Sequence, residues 1–268
     1  MSDPGLAVAV FLGIIQGITE FLPISSSGHL AAVQVLFPFL ASPGLTLELA
    51  THLGTAMAVI IYHRRLMMAV FGALPAGDPS LLGLRRRDWW RYGVIGSLPI
   101  AFVGLTAQDS IRAAFGDLLW IGLALAFTGA VLMSSRLRAH PDGDLSLGRV
   151  ALIGLAQSIA VFPGVSRSGM TITAAMLVNV KPSQAVTFSL LLSIPAIFGA
   201  ALLDVVQLFA QHRLATLLSI DLAFATLAAG LIGYYCIGLV HRVSRTGWWH
   251  RFAWYCWLAA ILLIQAAR

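Results

Sequence analysis

Six apolar runs dominate this sequence, and each is long enough to cross a lipid bilayer as a helix. A membrane-spanning helix needs about 20 mostly apolar residues. With 59% apolar and 10% charged residues and a mean hydropathy of +0.87, the chain lacks the charged surface of a soluble domain. A polytopic all-α membrane protein is predicted, and a soluble enzyme, a disordered tail and a DNA-binding module are excluded. The runs lie at 47–63, 92–107, 118–135, 184–206, 220–240 and 251–267.

Two further apolar segments are broken in the middle by proline, serine and glycine. The first covers 5–40 and breaks at PISSSG, residues 23–28; the second covers 150–180 and breaks at PGVSRSG, residues 163–169. Proline and glycine do not continue a helix unaided. Non-helical backbone persists at membrane depth only where protein or a wet cavity satisfies it. Each segment is therefore predicted to be a re-entrant helical hairpin, giving six transmembrane helices plus two hairpins.

The loop charges favour this topology. If the N-terminus lies outside and each hairpin enters and leaves on one side, 13 Lys and Arg residues lie inside and 3 outside, with Arg167 left in the membrane. This split follows the positive-inside rule and places both termini outside. The net charge of +6 is thereby explained without a nucleic-acid partner. The inside set is Arg64, Arg65, Arg85, Arg86, Arg87, Arg91, Arg136, Arg138, Arg149, Lys181, Arg242, Arg245 and Arg251.

The two broken segments are copies of each other. A shift of 141 residues aligns 13–28 with 154–169, and seven of these sixteen positions are identical. Three predicted spans separate the hairpins, so the second opens to the opposite face. The chain is interpreted as a single integral membrane domain, 1–268, made of an inverted-topology repeat (about 1–135 and about 150–268) whose broken helices meet near the midplane.

The copies differ in their chemical groups. Glu20, Ser26 and His29 of the first align with Val161, Arg167 and Met170 of the second. One hairpin thus carries an acid, a hydroxyl and an imidazole, and the other carries a guanidinium.

Glu20 and Arg167 are the leading functional candidates. A carboxylate in an apolar run is normally paired or faces a cavity, and Gln16 lies on the same helix face as Glu20; alternatively, both satisfy broken backbone at the tip. Arg167 opens a half-helix, where free N–H groups and a guanidinium together favour a phosphate. The alternative is an ion pair with Glu20 that holds the hairpins together.

Ser26 and His29 are the candidate nucleophile and proton relay, in either order, or they activate a water. The candidate substrate-binding residues are Gln16, Ser25, Ser27, Ser166, Ser168 and Gly169. Glu48 and His52 stand one helical turn apart. Either both residues line the same cavity, or Glu48 only stabilises the start of its helix.

At these residues the chain resembles a known family, the undecaprenyl-diphosphate phosphatases of bacteria (the bacitracin-resistance protein family). Motif order and the paired hairpins match across essentially the whole chain. The segments that carry the resemblance are QGITEFLPISSSGH at 16–29, PGVSRSGMTI at 163–172, FSLLLSIPAIFGA at 188–200 and FAWY at 252–255.

The resemblance implies hydrolysis of a C55 isoprenoid diphosphate to the monophosphate, which recycles the carrier lipid for peptidoglycan and cell-wall synthesis. It implies a bacterial inner-membrane enzyme whose site opens to the periplasm, with catalytic residues at Glu20, Ser26, His29 and Arg167. It also implies a divalent cation, Mg²⁺ or Ca²⁺, with Glu20 as ligand. The partners are then a polyprenyl diphosphate and membrane lipids, and a homodimer is compatible with the family.

Two departures from the family pattern stand out. Gln16 replaces a glutamate, which leaves the number of metal ligands in doubt, and Met170 replaces a small residue. A function from another class is also open, because inverted repeats with broken helices are typical of secondary transporters. A lipid-phosphate flippase or an anion transporter would use the same arginine and the same helix ends.

Overall fold

The computed structural model describes residues 5–40, 45–75, 77–137 and 140–268. Arg138, which the topology places inside, lies outside these ranges. Within them the regular elements are helices, joined by one isolated bridge between Gly143 and Val180. The α-helices are α1 Leu6–Phe21, α2 Ser26–Leu36, α3 Leu45–Tyr62, α4 Arg64–Val70, α5 Arg86–Thr106, α6 Gln108–Phe115, α7 Leu118–Ser134, α8 Leu147–Ile159, α9 Arg167–Leu177, α10 Pro182–Ala210, α11 Ile220–Arg245 and α12 Phe252–Ala266. Short 3₁₀ helices are Pro38–Leu40, Pro79–Leu81, Ser135–Leu137, Leu214–Leu217 and Trp249–Arg251.

The predicted all-α architecture is confirmed. Each of the six apolar runs forms a helix, and both broken segments form helix pairs, α1–α2 and α8–α9. By length and composition three helices in the described residues are able to cross a membrane: Leu118–Leu137, Pro182–Ala210 and Ile220–Arg245. A fourth is added if Pro79–Thr106 and Gln108–Phe115, bent by 78°, form one span. The chain is therefore an apolar helical protein of multi-pass type.

The helix breaks, at 22–25 and 160–166, overlap the predicted ones at 23–28 and 163–169 but end three residues earlier, and serine side chains cap the helices that follow. Helix α1 ends before Leu22 and Pro23, and α2 begins after Ser25, whose hydroxyl accepts a hydrogen bond from the Gly28 N–H at 3.3 Å. In the second pair, Ser166 accepts from the Gly169 N–H at 3.0 Å. These caps satisfy N–H groups that the first turn of a helix leaves free.

Close helix contacts at glycine hold the bundle together. Helix α11 packs against both α1 and α3, and α5 packs against both α8 and α10. A Cβ at Gly54 would lie 2.3 Å from the carbonyl oxygen of Thr226, and one at Gly154 would lie 2.8 Å from that of Gly96. Small residues at such crossings let backbones approach closely in apolar surroundings.

The outer surface carries large apolar side chains, as expected where lipid replaces water. Phe102, Leu202, Leu227 and Ile261 are all more than half exposed. A contiguous apolar surface of this kind is rare on soluble monomers. The polar groups of the broken helices are instead buried inside the bundle.

Candidate active site

The tips of the two hairpins touch each other. A Cβ at Gly28 would lie 2.8 Å from the Cα of Gly164, so the backbones are in direct contact. The Ser168 hydroxyl also donates a hydrogen bond to the carbonyl of Leu22 at 3.2 Å. Gly164 has a φ of +91°, a conformation that glycine adopts without strain. The start of α9 is thereby fixed against the end of α1.

Glu20 lies at this junction, buried and surrounded by donors. Arg167 donates from Nη2 to Oε1 of Glu20, across the two halves of the chain. The amide of Gln16 donates to Oε2 at 2.9 Å, and the Ser26 hydroxyl donates to the same oxygen at 2.6 Å. The convergence of Glu20 and Arg167 that the sequence predicts is therefore present.

The ion pair does not use the whole guanidinium of Arg167. Its Nη1 is buried and has no hydrogen-bond partner among the described residues. A buried donor without a partner is costly, and native structures rarely leave one unsatisfied. Because Arg167 also starts a helix, its remaining donor and the helix end together favour an anion.

The four flanking serines have partners within their own tips, and Ser168 in addition contacts the other tip through Leu22. Ser25 and Ser166 cap the helices, and their hydroxyl oxygens lie 3.4 Å from that of Ser27 and 3.2 Å from that of Ser168, respectively. The N–H of Gly169 is taken by the cap. The structure thus gives Ser25, Ser27, Ser166, Ser168 and Gly169 a place in the tips, and their binding of substrate stays a prediction.

His29 is close in sequence to Ser26 but has different partners. Its Nδ1 lies 2.8 Å from the carbonyl of Ser25, and its Nε2 lies 2.7 Å from the hydroxyl of Tyr255 on α12. With Nδ1 donating to the carbonyl, Nε2 accepts from Tyr255. The acceptor of the Ser26 proton in this arrangement is Glu20 and not His29.

Tyr255 is a site residue that the sequence reasoning missed as such. The stretch FAWY was noted only as part of the family resemblance. A contact across 226 residues leaves no local pattern. In the sequence, Tyr255 is recognisable only as an aromatic residue next to Trp254 and Trp257.

A second group of polar residues lies beside Glu20. His52 on α3 has its Nε2 3.7 Å from Oε2 of Glu20, and its Nδ1 lies 2.8 Å from the carbonyl of Glu48. Asp204 on α10, which the sequence reasoning did not single out, interacts electrostatically with both Glu48 and His52. Glu48 also lies in the first turn of α3, so both interpretations of this residue stay predictions.

The oxygen donors at the site are of the kind that a hard divalent cation prefers. Besides the Glu20 carboxylate, Oε1 of Gln16 is buried without a hydrogen-bond partner in the described residues. Those residues contain no group of three His, Cys, Asp or Glu side chains that could hold a metal. The donor set fits a cation that is shared with substrate phosphates, as Mg²⁺ commonly is.

Comparison with known proteins finds similar sequences over nearly the whole chain. A family model described as bacitracin resistance protein BacA matches residues 9–262. A protein named undecaprenyl-diphosphatase from Korarchaeum cryptofilum (strain OPF8) is 35% identical over 267 residues, covering 97% of this chain and 98% of the relative. One of the same name from Desulfosudis oleivorans (strain DSM 6200 / JCM 39069 / Hxd3) is 38% identical, covering 93% and 94%. Another, from Paenarthrobacter aurescens (strain TC1), is 36% identical, covering 95% and 94%.

Proposed function

The chain belongs to the bacitracin resistance protein BacA family, and from this we propose that it hydrolyses undecaprenyl diphosphate to undecaprenyl phosphate and inorganic phosphate. The reaction recycles the lipid carrier of cell-wall synthesis. The observation that carries the proposal is the largely buried Arg167, whose Nη2 pairs with Glu20 and whose Nη1 has no hydrogen-bond partner among the described residues. A diphosphate whose tail stays in lipid is a ligand that such a site accepts.

Ser26 is the nucleophile in this proposal. Its hydroxyl already donates to Glu20 at 2.6 Å, so the carboxylate is in place to accept the proton. The serine oxygen attacks the terminal phosphorus, the bond from that phosphorus to the bridging oxygen breaks, and undecaprenyl phosphate leaves. A water molecule then attacks the phosphoserine, which releases inorganic phosphate and restores the hydroxyl.

Arg167 supplies the positive charge that the reaction needs. Its Nη1, which has no partner among the described residues, binds one phosphate oxygen, and Nη2 provides the second of two parallel hydrogen bonds when it moves from Glu20 to the ligand. Because the group is buried, its interaction with charge that develops on the phosphoryl oxygens is only weakly screened. His29, fixed by Tyr255 and by the Ser25 carbonyl, borders Ser26 and orients the tip that carries it.

Glu20 and Gln16 are the residues that would hold a divalent cation. When bound, such a cation supplies Lewis-acid charge neutralisation on the diphosphate. Only one carboxylate of the described residues lies in direct contact with Ser26 and Arg167. The substrate must therefore contribute oxygen ligands of its own.

The proposal includes the finer topology of six spans and two re-entrant hairpins with both termini outside. The helix packing supports it. In the two proposed repeats α1 corresponds to α8, α3 to α10, and α5 to α11. Under this correspondence, the contact between α1 and α11 matches the contact between α8 and α5. The contact between α11 and α3 matches the contact between α5 and α10. Such a correspondence is expected of an inverted repeat. The loop charges support the orientation with both termini outside, and the opening of the site to the periplasm is part of the proposal.

Phosphate release in detergent tests this function against transport, because no transport is possible without two compartments. Purified protein with Mg²⁺ or Ca²⁺ should release phosphate from undecaprenyl diphosphate. Ser26→Ala should lower turnover by about 100-fold or more, since it removes the attacking oxygen. Ser134→Ala, a control at a half-buried serine on α7, should retain wild-type turnover.

Trapping tests the step itself. With undecaprenyl diphosphate carrying ³²P at the terminal phosphate, acid quenching should yield labelled wild-type protein, and peptide mapping should place the label on Ser26. No release of phosphate by wild-type protein would overturn the function. A label on His29, or full turnover by Ser26→Ala, would overturn the nucleophile only.

A further inference from the structure

A cavity of about 610 Å³, separate from the candidate active site, lies where α3, α4, α10 and α11 meet. Neither Glu20 nor Arg167 borders it. On α3, His52 approaches Glu20, whereas the cavity begins at Tyr62, ten residues further along, which is about 15 Å at the helical rise. Its main polar lining residues are Tyr62, Arg65, Thr187, His241, Arg242 and Arg245.

The charge of this cavity is positive. No Asp or Glu is among its described lining residues. Arg242 and Arg245, in the last turn of α11, form no hydrogen bond or ion pair with any described residue. The side chain of Arg65 also borders it, at 72% exposure, and is the one lining arginine with an acidic partner.

That acidic partner is Asp78, and both of its carboxylate oxygens already accept hydrogen bonds. Asp78 accepts from the Ser80 hydroxyl at 2.6 Å and from its N–H at 2.9 Å, and it pairs with Arg65 at 3.2 Å. The hydrogen bonds from Ser80 and then Arg65 hold the pKa of Asp78 down at about 2. Its one negative charge therefore offsets Arg65 and leaves the two guanidinium groups of α11 uncompensated.

Unpartnered hydroxyl groups also border the cavity. Thr187 is only 5% exposed, yet its hydroxyl has no hydrogen bond to the described residues, and neither has the hydroxyl of Tyr62. Neither hydroxyl oxygen is fully buried, and both residues line the cavity, so both hydroxyls are accessible to a ligand there. Two free guanidinium groups and two free hydroxyls are donors that suit the oxygens of a phosphate. The volume is that of a small-molecule site and exceeds what a lone ion fills.

We propose that this cavity is a second ligand site, which binds a phosphate group, either on the headgroup of an anionic lipid or as free inorganic phosphate. The site is separate from the catalytic one and does not depend on the reaction proposed above. Anionic lipid headgroups are recognised by basic pockets between transmembrane helices in the same way.

Binding to the full-length protein in detergent tests the proposal. Inorganic phosphate is titrated by calorimetry, and short-chain phosphatidylglycerol is compared with phosphatidylcholine of the same chain length by native mass spectrometry. The test variants are Thr187→Val and the double variant Arg242→Gln, Arg245→Gln. The control, Arg64→Gln with Arg91→Gln, removes the same charge from exposed residues that do not line the cavity.

Wild-type protein should prefer phosphatidylglycerol or bind inorganic phosphate at this site. The α11 double variant should weaken that binding by about tenfold or more, because it removes two charge-assisted contacts. Thr187→Val should weaken it less, and the control should not change it. Arg167→Gln should leave this binding intact while removing the phosphate bound at the catalytic site, which separates the two proposals.

Each result decides the matter. Loss of phosphatidylglycerol binding alone identifies the headgroup as the ligand, and loss of inorganic phosphate alone identifies the free anion. Equal weakening by the control and the α11 variant would show a diffuse surface effect and overturn the proposal. Absence of binding by both probes would overturn it as well. Unchanged phosphate release by the α11 variant confirms that it is folded.

Discussion

Glu20 has more donors around it than a simple ion pair needs. Its oxygens accept from Arg167, Gln16 and Ser26, and His52 stands at 3.7 Å. When a phosphate binds Arg167, the carboxylate keeps Gln16 and Ser26 as partners and is not left unsatisfied in apolar surroundings. The energetic cost of exchanging the ion pair for a ligand is thereby limited.

Replacing Arg167 with lysine tests whether the fork of the guanidinium matters or only its charge. Arg167→Lys keeps one positive charge but loses the second donor that faces the ligand. We expect kcat/KM for undecaprenyl diphosphate to fall by about 100-fold. Arg112→Lys, at an exposed arginine bonded to Gln207, serves as the matched control and should stay within about twofold of wild type. Near-wild-type activity of Arg167→Lys would contradict a bidentate role.

For single residues, the sequence mainly identifies as site candidates those that differ between the two copies of the broken segment. Glu20 and Arg167 stand out because a charge in an apolar run needs a reason. Tyr255 and Asp204 do not, because a tyrosine near a membrane boundary and a lone aspartate have common alternative explanations. Their roles depend on helix packing between distant parts of the chain.

The broken helices are the elements that create the site. Each break brings a helix N-terminus into the protein interior, where Ser25 or Ser166 caps it. The unbroken helices hold these tips in place through close crossings, of which α3 with α11 is an example. The rigidity of the site therefore depends on these helix crossings.

A glycine pair tests the importance of the crossings. Gly54→Ala places a methyl group 2.3 Å from the backbone oxygen of Thr226, which forces α3 and α11 apart. We expect a loss of about 1–3 kcal/mol in stability and a lower melting temperature in detergent. Gly104→Ala, in α5 with nothing within 4 Å, is the control and should be neutral or slightly stabilising. Equal melting temperatures for both variants would refute the close crossing.

The sequence predicts the helix breaks well and the short helices poorly. Proline, glycine and capping serines mark the breaks at 22–25 and 160–166 directly. Helices α4 and α6 were not predicted, because they are short, carry charged residues and lie between apolar runs. Their formation depends on contacts with neighbouring helices and not on a local apolar pattern.

The whole molecule combines two similar halves whose loops differ in charge. The segment 64–91, which covers α4, the following loop and the start of α5, holds six arginines, whereas the loop between α10 and α11 has Arg213 as its single Lys or Arg. Positive loops remain on the cytoplasmic side during insertion. In the proposed topology, this charge pattern sets the orientation of the two hairpins.

Labelling of single cysteines tests this orientation. In a Cys236→Ser, Cys256→Ala background, Arg213→Cys should react with an impermeant maleimide in intact cells, and Arg85→Cys should react only after the cells are opened. Both positions are exposed in the structure, so access to the thiol depends on the side of the membrane. The reverse labelling pattern would invert the topology, and labelling of both in intact cells would contradict the hairpin count.

The contact between Gly28 and Gly164 sets the time at which the protein acquires its chemistry. The reactive hydroxyl is made early in translation, but the backbone that supports it and the arginine that faces it are made more than a hundred residues later. A half-synthesised chain in the membrane carries Glu20 and Ser26 but still lacks Arg167, the cation that pairs with Glu20. The protein therefore becomes catalytically competent only after the second hairpin has packed against the first.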